Sequence, residues 1–134
     1  MRYEIVDHTA DVMVRCTGET LQECFENAAY ALFDQMVDLS GVDPVMSIDI
    51  DVTGDDHENR LYAFLSELLF IQDSEMLMLS EFKVRFDNGT VKCVAYGEPL
   101  DTSKHTVKGE IKAITYHMLS VDENVPSLTV IFDV

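Results

Sequence analysis

The sequence predicts an α+β domain in which two helices pack on a largely antiparallel sheet. Two long segments repeat apolar residues at spacings of three and four, which is typical of amphipathic helices. Several shorter segments alternate apolar and polar residues, as half-exposed strands do. Between two of these lies Asn88-Gly89, a strong signal for a tight hairpin and therefore for antiparallel pairing. The length of 134 residues matches one domain, 1–134.

The first half of the chain predicts three strands and two helices. A weakly alternating strand at 3–6 is interrupted by the polar run Asp7-His8-Thr9-Ala10 and resumes at 11–17. Thr20 and Glu23 fit a capping box that starts a helix over about 20–38. The remaining predicted elements of this half are a strand at 47–52, a turn at 54–56 and a helix over about 57–73.

In the second half of the chain the sequence predicts strands and no further long helix. The run 76–79 is apolar throughout and fits either a helix end or extended chain. Beyond it we expect a hairpin of 82–86 and 91–96, which Gly97-Glu98-Pro99 terminates. The polar segment 102–110 is predicted to be a loop, and the last two strands are expected at about 113–121 and 128–132.

The charge of the chain is strongly and unevenly negative. The formal net charge is −16, and residues 1–82 contain 18 acidic residues but only three basic ones. A surface of this sign repels phosphate backbones, so we expect no direct nucleic-acid binding. A basic protein partner or bound cations would suit it, although solubility alone also accounts for such acidity.

The cysteines and the hydropathy pattern bear on the compartment. Cys16, Cys24 and Cys93 are odd in number and include no CxxC pair, which disfavours a disulfide framework or a thiolate metal site. We expect them to be small buried hydrophobes in a reducing cytoplasm. No secretory signal is visible, and no apolar run approaches the roughly 20 residues that span a bilayer.

Acidic residues at strand ends are the first candidates for chemistry. Asp7 and Asp11 are four residues apart across a predicted turn, and Asp133 ends the last predicted strand next to Val134. Oxygen ligands without nitrogen or sulfur suit a hard cation such as Ca²⁺, Mg²⁺ or Mn²⁺. Aspartate is common in turns, however, and chain ends often fray, so spacing alone favours the metal site only weakly.

The nearby basic residues have two interpretations each. His8 could be a general base or a ligand, but a turn histidine more often hydrogen-bonds the backbone. Lys112 could pair with the acids or with a substrate phosphate, or it could be a solvated strand lysine. His117 could face either side of its strand, while His57 and His105 belong to no pattern. No Walker loop, GxSxG, HExxH or zinc-binding spacing is present.

Four segments together resemble the archease family over the whole length of the chain. The signature segments are Asp7-His8-Thr9-Ala10-Asp11-Val12, Ile111-Lys112-Ala113-Ile114-Thr115-Tyr116-His117 and Val130-Ile131-Phe132-Asp133-Val134. Phe64-Leu65-Ser66-Glu67-Leu68-Leu69-Phe70 resembles the family's second helix. No single segment is decisive, but four in the right order are highly specific.

The resemblance implies an accessory protein of tRNA splicing, not an enzyme in its own right. Archeases assist the RtcB-type RNA ligase, promote guanylylation of its active-site histidine and thereby allow multiple turnover. The family's metal site, for which Ca²⁺ is the favoured ion, corresponds to Asp11, Asp133 and the main chain or terminus of Val134. Its functional lysine corresponds to Lys112. Asp7 and His8 match the motif and are expected to shape the site.

Two other functions compete with this one. The chain could be a metal-dependent phosphoesterase built on Asp7, His8, Asp11 and Asp133, although no convincing nucleophile accompanies these residues. It could also be an acidic, chaperone-like binding module. In that case scattered acids such as Asp49 would matter as much as Asp11.

Overall fold

The computed structural model describes residues 2–8 and 11–134, and for Asp7 and His8 it describes the backbone alone. Seven strands and two long helices follow one another along this part of the chain. In chain order they are β1 (Tyr3–His8), β2 (Asp11–Thr17), α1 (Leu21–Asp34), β3 (Met46–Thr53), α2 (His57–Glu75), β4 (Leu77–Asp87), β5 (Thr90–Pro99), β6 (Ala113–Asp122) and β7 (Ser127–Asp133).

The predicted α+β class is confirmed, and the strands divide between two antiparallel sheets. One sheet has the order β1-β2-β7-β6 and the other the order β3-β5-β4. Helix α1 packs against β2 and β4, and α2 packs against β3 and β6, so each helix contacts both sheets. The buried apolar side chains of both sheets and both helices form one core cluster.

The helices begin within one residue of the predicted starts, and a side chain caps each of them. The Thr20 side chain accepts a hydrogen bond from the Glu23 amide, and the Asp56 side chain accepts one from the Asn59 amide. Helix α1 ends at Asp34, four residues before the predicted end. Val37 then pairs with Val107 in an isolated bridge, and a short 3-10 helix follows at Leu39–Gly41. No described helix is long and apolar enough to cross a membrane.

The second hairpin is longer at both ends than the sequence predicts. Strand β4 begins at Leu77, so the ambiguous apolar run is extended chain, and Leu77, Met78 and Leu79 are all buried. Gly97 does not end β5, which continues to Pro99. A Cβ atom on Gly97 would collide with the carbonyl oxygen of Met78, so glycine there permits the close approach of β4.

The sixth strand contains a large irregularity. Thr115 pairs with Ile131 and Ser120 pairs with Thr129, so four residues, 116–119, lie opposite Val130 alone. Within this bulge Met118 adopts a left-handed conformation with φ 56°. Bulges of this kind redirect side chains at sheet edges, and here β6 is an edge strand.

Candidate functional site

The strand register places two of the predicted metal ligands directly opposite each other. Asp11, the first residue of β2, pairs with Asp133, the last residue of β7. On the other side of β7, Asp133 pairs with Ala113 of β6. Paired residues of neighbouring strands project to the same face, with Cβ atoms about 5 Å apart. The two carboxylates are therefore neighbours on one face at the end of the four-stranded sheet, an end that we call the tip.

This face of the sheet is the one turned away from the core. Val12 and Phe132, which adjoin the two aspartates in sequence, are almost completely buried. Because side chains alternate along a strand, Asp11 and Asp133 project to the opposite face, where Asp11 is exposed and Asp133 half-buried. Neither carboxylate forms a hydrogen bond or an ion pair with another side chain among the residues described. Two anions held this close repel each other, and a bound cation would relieve that repulsion.

Val134 continues β7 and lies beside a second feature, a cavity of about 370 Å³. Val134 lines this cavity together with Val12, Gln35 and the segment 108–111. A valine side chain has no donor atom, so Val134 could contribute only a main-chain oxygen to a metal. Among the residues described, no group of three His, Cys, Asp or Glu side chains is placed to hold an ion. The donor set consists of oxygen atoms, which fits a hard cation.

Lys112 is attached to the tip through its backbone. Its amide donates a hydrogen bond of 2.7 Å to the carbonyl oxygen of Asp133. The side chain is exposed and forms no ion pair with a described residue. The residue lines an open groove between α2 and the beginning of β6. The backbone of the predicted functional lysine is therefore next to that of Asp133, while its side chain belongs to the groove.

The two remaining predicted site residues lie on β1, and their side chains fall outside the described residues. The backbone of Asp7 pairs with Met13, and that of His8 pairs with Val12. The first strand therefore continues through Asp7 and His8, where the sequence predicts a turn or a bulge, and its register shifts between Ile5 and Asp7. The roles assigned to Asp7 and His8 stay predictions.

A second cluster of charged residues was missed by the sequence analysis. His105 has 4% of its surface exposed and is the one buried polar side chain among the residues described. Its Nδ1 accepts a hydrogen bond from the Asp101 amide, so its Nε2 carries the ring hydrogen and donates to Glu98 Oε2 at 2.9 Å. Lys104 Nζ contacts both Glu98 and Asp43 at 2.8 Å. We call Asp43, Glu98, Asp101, Lys104 and His105 the Glu98 cluster.

The hydrogen bonds and ion pairs of this cluster stabilise the structure around Glu98. The Asp43 amide, the Lys104 ammonium and the His105 ring all donate to the Glu98 carboxylate, which lowers the pKa of Glu98 to about 2. The hydrogen bonds that Lys104 donates to Asp43 and Glu98 in turn raise the pKa of Lys104. Donors therefore surround the Glu98 charge and fasten the segment 101–105 to β5. Most of the hydrogen-bonding capacity of this carboxylate is therefore taken up inside the protein.

The cysteines are free and buried, as predicted. Burial raises the pKa of Cys93 to about 12 and also raises the pKa values of Cys16 and Cys24. All three thiols therefore stay protonated at neutral pH and are poor nucleophiles and poor metal ligands.

The remaining histidines have ordinary structural surroundings. His57 is the first residue of α2 and lies 3.1 Å from Glu123, while Arg60 approaches its other ring nitrogen at 3.3 Å. His117 is exposed in the bulge of β6, and its amide donates to the hydroxyl of Thr115.

Comparison with known proteins identifies close similarity over the whole chain. A model of the Archease protein family (MTH1598/TM1083) matches residues 3–134. The protein archease of Pyrococcus furiosus is 43% identical over 125 residues, which cover 90% of this chain and 88% of the relative. The protein archease of Sulfolobus acidocaldarius is 40% identical, covering 92% and 90% of the two chains.

Two solved structures share the fold. The solution structure of protein 1598 from Methanobacterium thermoautotrophicum superposes with a TM-score of 0.86 at 35% identity, covering 99% of both chains. The crystal structure of an archease from Thermotoga maritima, described as a possible chaperone, gives a TM-score of 0.67 at 19% identity. It covers 98% of this chain and 96% of that one, and at this identity it supports the fold alone.

Proposed function

Because this chain belongs to the archease family, we propose that it is an accessory protein of tRNA splicing that activates an RtcB-type RNA ligase. In this role it promotes guanylylation of the ligase and so allows repeated turnover. The observation that carries the proposal is the pairing of Asp11 with Asp133, two residues of the family's signature segments, at one end of a sheet. The two side chains take no part in the packing of the core, since both project away from it.

The pair suits a divalent cation. Asp11 and Asp133 would hold the ion with a main-chain oxygen of Val134, and Ca²⁺ is the ion we favour, with Mg²⁺ and Mn²⁺ as alternatives. A bound cation would supply positive charge that offsets the repulsion of the two carboxylates and fixes their positions. The chain's own contribution is the strand register, which brings two residues 122 positions apart in sequence to the same row of the sheet.

Lys112 would act beside this pair as a fixed cation. Its amide is bonded to Asp133, so a change in the position of β7 would move Lys112 as well. Its exposed ammonium could contact an anionic group that the ligase brings to the tip. The acidic body would dock on a basic, RNA-binding face of the ligase far better than on RNA itself. We therefore propose a protein partner, without direct nucleic-acid binding.

Guanylate transfer to a cognate RtcB-type ligase tests this function. The wild-type protein should increase both guanylylation and the number of turnovers, and a chelator should reduce the increase. The variants Asp11→Ala and Asp133→Ala should keep the fold and lose the stimulation. Asp49→Ala is the matched control, since Asp49 is an exposed strand aspartate of the other sheet. Undiminished stimulation by both tip variants would reject the assignment of the site.

The same variants separate the two competing functions. A phosphoesterase would hydrolyse phosphoesters without any ligase in the presence of Mg²⁺ or Mn²⁺. A chaperone-like module is suggested by the description of the Thermotoga maritima protein as a possible chaperone. It predicts that Asp49→Ala impairs stimulation as much as Asp11→Ala does.

A further inference from the structure

An open groove lies between helix α2 and the beginning of strand β6, and of its lining residues the proposed function so far uses Lys112 alone. Its volume is about 400 Å³, within the range of sites that accept a side chain or a small ligand. Helix α2 contributes residues at spacings that place them on one helical face, and the segment before β6 contributes the opposite wall. The lining residues on which the argument rests are Tyr62, Phe70 and Asp73 of α2 and Glu110 and Lys112 of the opposite wall.

The groove combines a buried apolar floor with an exposed aromatic ring. Leu69, Ile111 and Ile114 are buried and form apolar surface at its base. Phe70, in contrast, is 64% exposed although it is one of the largest apolar side chains of the protein. Phe70 therefore adds exposed apolar surface to a groove whose base is apolar, and exposed apolar surface grouped in this way marks interaction sites more often than scattered apolar residues do.

One wall of the groove is held in place before any partner arrives. The ring of Tyr62 stacks on the ring of Tyr116 with centroids 3.9 Å apart and an angle of 14°. The hydroxyl of Tyr116 donates a hydrogen bond of 2.8 Å to Asn59, one turn before Tyr62 on α2. Tyr116 is the first residue of the bulge in β6, so the bulge supplies this support. A wall fixed in advance reduces the entropy that binding would cost.

The charge of the rim indicates the chemistry of the occupant. Asp73 and Glu110 place two carboxylates on the groove against one ammonium, that of Lys112. The surrounding surface belongs to a chain of net charge −16. A segment with basic residues beside one apolar side chain complements both the rim and the floor, whereas an acidic segment would be repelled.

We propose that this α2–β6 groove is the docking site for a basic segment of a protein partner, which inserts one apolar side chain against Phe70 and Tyr62. The inference rests on the proposed function, in which the partner is the ligase. Lys112 lines the groove and is bonded through its amide to Asp133, so a segment docked here would lie next to the tip. The groove would supply affinity, and the tip carboxylates would act on the docked partner.

A titration of a cognate RtcB-type ligase with the full-length protein tests the groove. Direct binding and guanylylation are measured together for the wild type, Phe70→Ala, Phe70→Leu and Asp73→Lys. We expect Phe70→Ala to raise the concentration for half-maximal stimulation at least about tenfold, with the maximal stimulation retained. Phe70→Leu should lose less affinity than Phe70→Ala, and Asp73→Lys should lose affinity most clearly at low salt.

Two control variants match these changes outside the groove. Val45→Ala alters a side chain that is 74% exposed, and Asp49→Lys reverses an exposed strand aspartate; neither residue lines the groove. Both should bind the ligase as the wild type does. Circular dichroism and the Tm of each variant check the fold.

The possible results separate the groove from the function on which it rests. Unchanged half-maximal concentrations for Phe70→Ala and Asp73→Lys, with stimulation by the wild type intact, would overturn the groove alone. Absence of both binding and stimulation in the wild type would overturn the groove and the proposed function together. A wild-type dimer in sedimentation that Phe70→Ala dissociates, with ligase binding unchanged, would assign the groove to a second copy and overturn the proposal.

Discussion

The tip and the Glu98 cluster both contain neighbouring carboxylates, but the two regions differ in how the negative charge is compensated. Glu98 accepts hydrogen bonds from three donors, and its pKa is lowered to about 2. Asp11 and Asp133 lie opposite each other on two paired strands, and neither carboxylate forms an ion pair with a described residue. Saturated charge stabilises a loop, whereas charge left without a counterpart is available to a ligand. The difference separates a structural cluster from a candidate functional one within the same chain.

The largest effect should come from removing the cation beside the tip. We expect Lys112→Ala to reduce stimulation of the ligase at least about tenfold, because the ammonium that would meet an anionic group is lost. The free energy of unfolding should change by less than about 0.5 kcal/mol, since the side chain is exposed. Guanylylation assays and urea unfolding measure the two quantities. Lys108→Ala is the control, and equal losses in both variants would contradict a specific role for Lys112.

The Glu98 cluster should respond in the opposite way. His105→Ala leaves the Asp101 amide without its acceptor inside a buried site, so we expect a destabilisation of about 1–3 kcal/mol. Stimulation per folded molecule should be unchanged, because the proposed site is at the tip and not in the cluster. Chemical unfolding and guanylylation of the same preparation give both numbers. A stable variant that fails to stimulate would show that the cluster is not merely structural.

Acid should weaken the cluster over a defined range. The pKa of Glu98 is about 2 in the folded protein against an ordinary 4.5, so its stabilisation is complete above about pH 4.5. It is lost as the pH falls from about 4.5 towards 2, since the carboxylate must then take up a proton. Glu98→Gln removes this contribution and should lower the Tm at neutral pH. The Tm difference between wild type and variant should shrink on acidification; a constant difference would reject this account.

We expect the smallest effect when one carboxylate of the tip is neutralised in the absence of metal: the protein should become slightly more stable. Asp11→Asn removes one of two like charges that are paired across the strands, so we expect stabilisation by about 0.2–1 kcal/mol in the presence of a chelator. Thermal unfolding at low ionic strength is the suitable measurement, because salt screens the repulsion. A clear destabilisation would mean that Asp11 has a structural partner and would remove the contrast with Glu98.

Local patterns predicted most elements of this fold. The three-and-four spacing located both helices, and the capping residues Thr20 and Asp56 mark their starts. Alternation located the strands, except where a strand is buried on both faces, as at Leu77–Leu79, or contains a glycine, as at Gly97. The bulge at 116–119 left no trace in the pattern, because its four residues are defined by pairing with a distant strand.

The site was less accessible to sequence reasoning than the elements. Strand ends suggested Asp11 and Asp133, but only the register of β2 against β7 makes them neighbours. His105 was missed because its burial depends on Glu98 and on the packing of the loop, neither of which a single sequence displays. The turn Asp101–Ser103, in which the aspartate side chain accepts from Ser103, was the one local signal available there.

Calorimetric titration with Ca²⁺ tests most directly whether the aspartate pair at the tip binds a divalent cation. The wild type should show one binding event per chain, which the double variant Asp11→Asn/Asp133→Asn abolishes. The control Asp49→Asn/Asp51→Asn removes two carboxylates from the other sheet and should bind as the wild type does. Binding that survives loss of the tip pair, or that disappears in the control, would contradict the account.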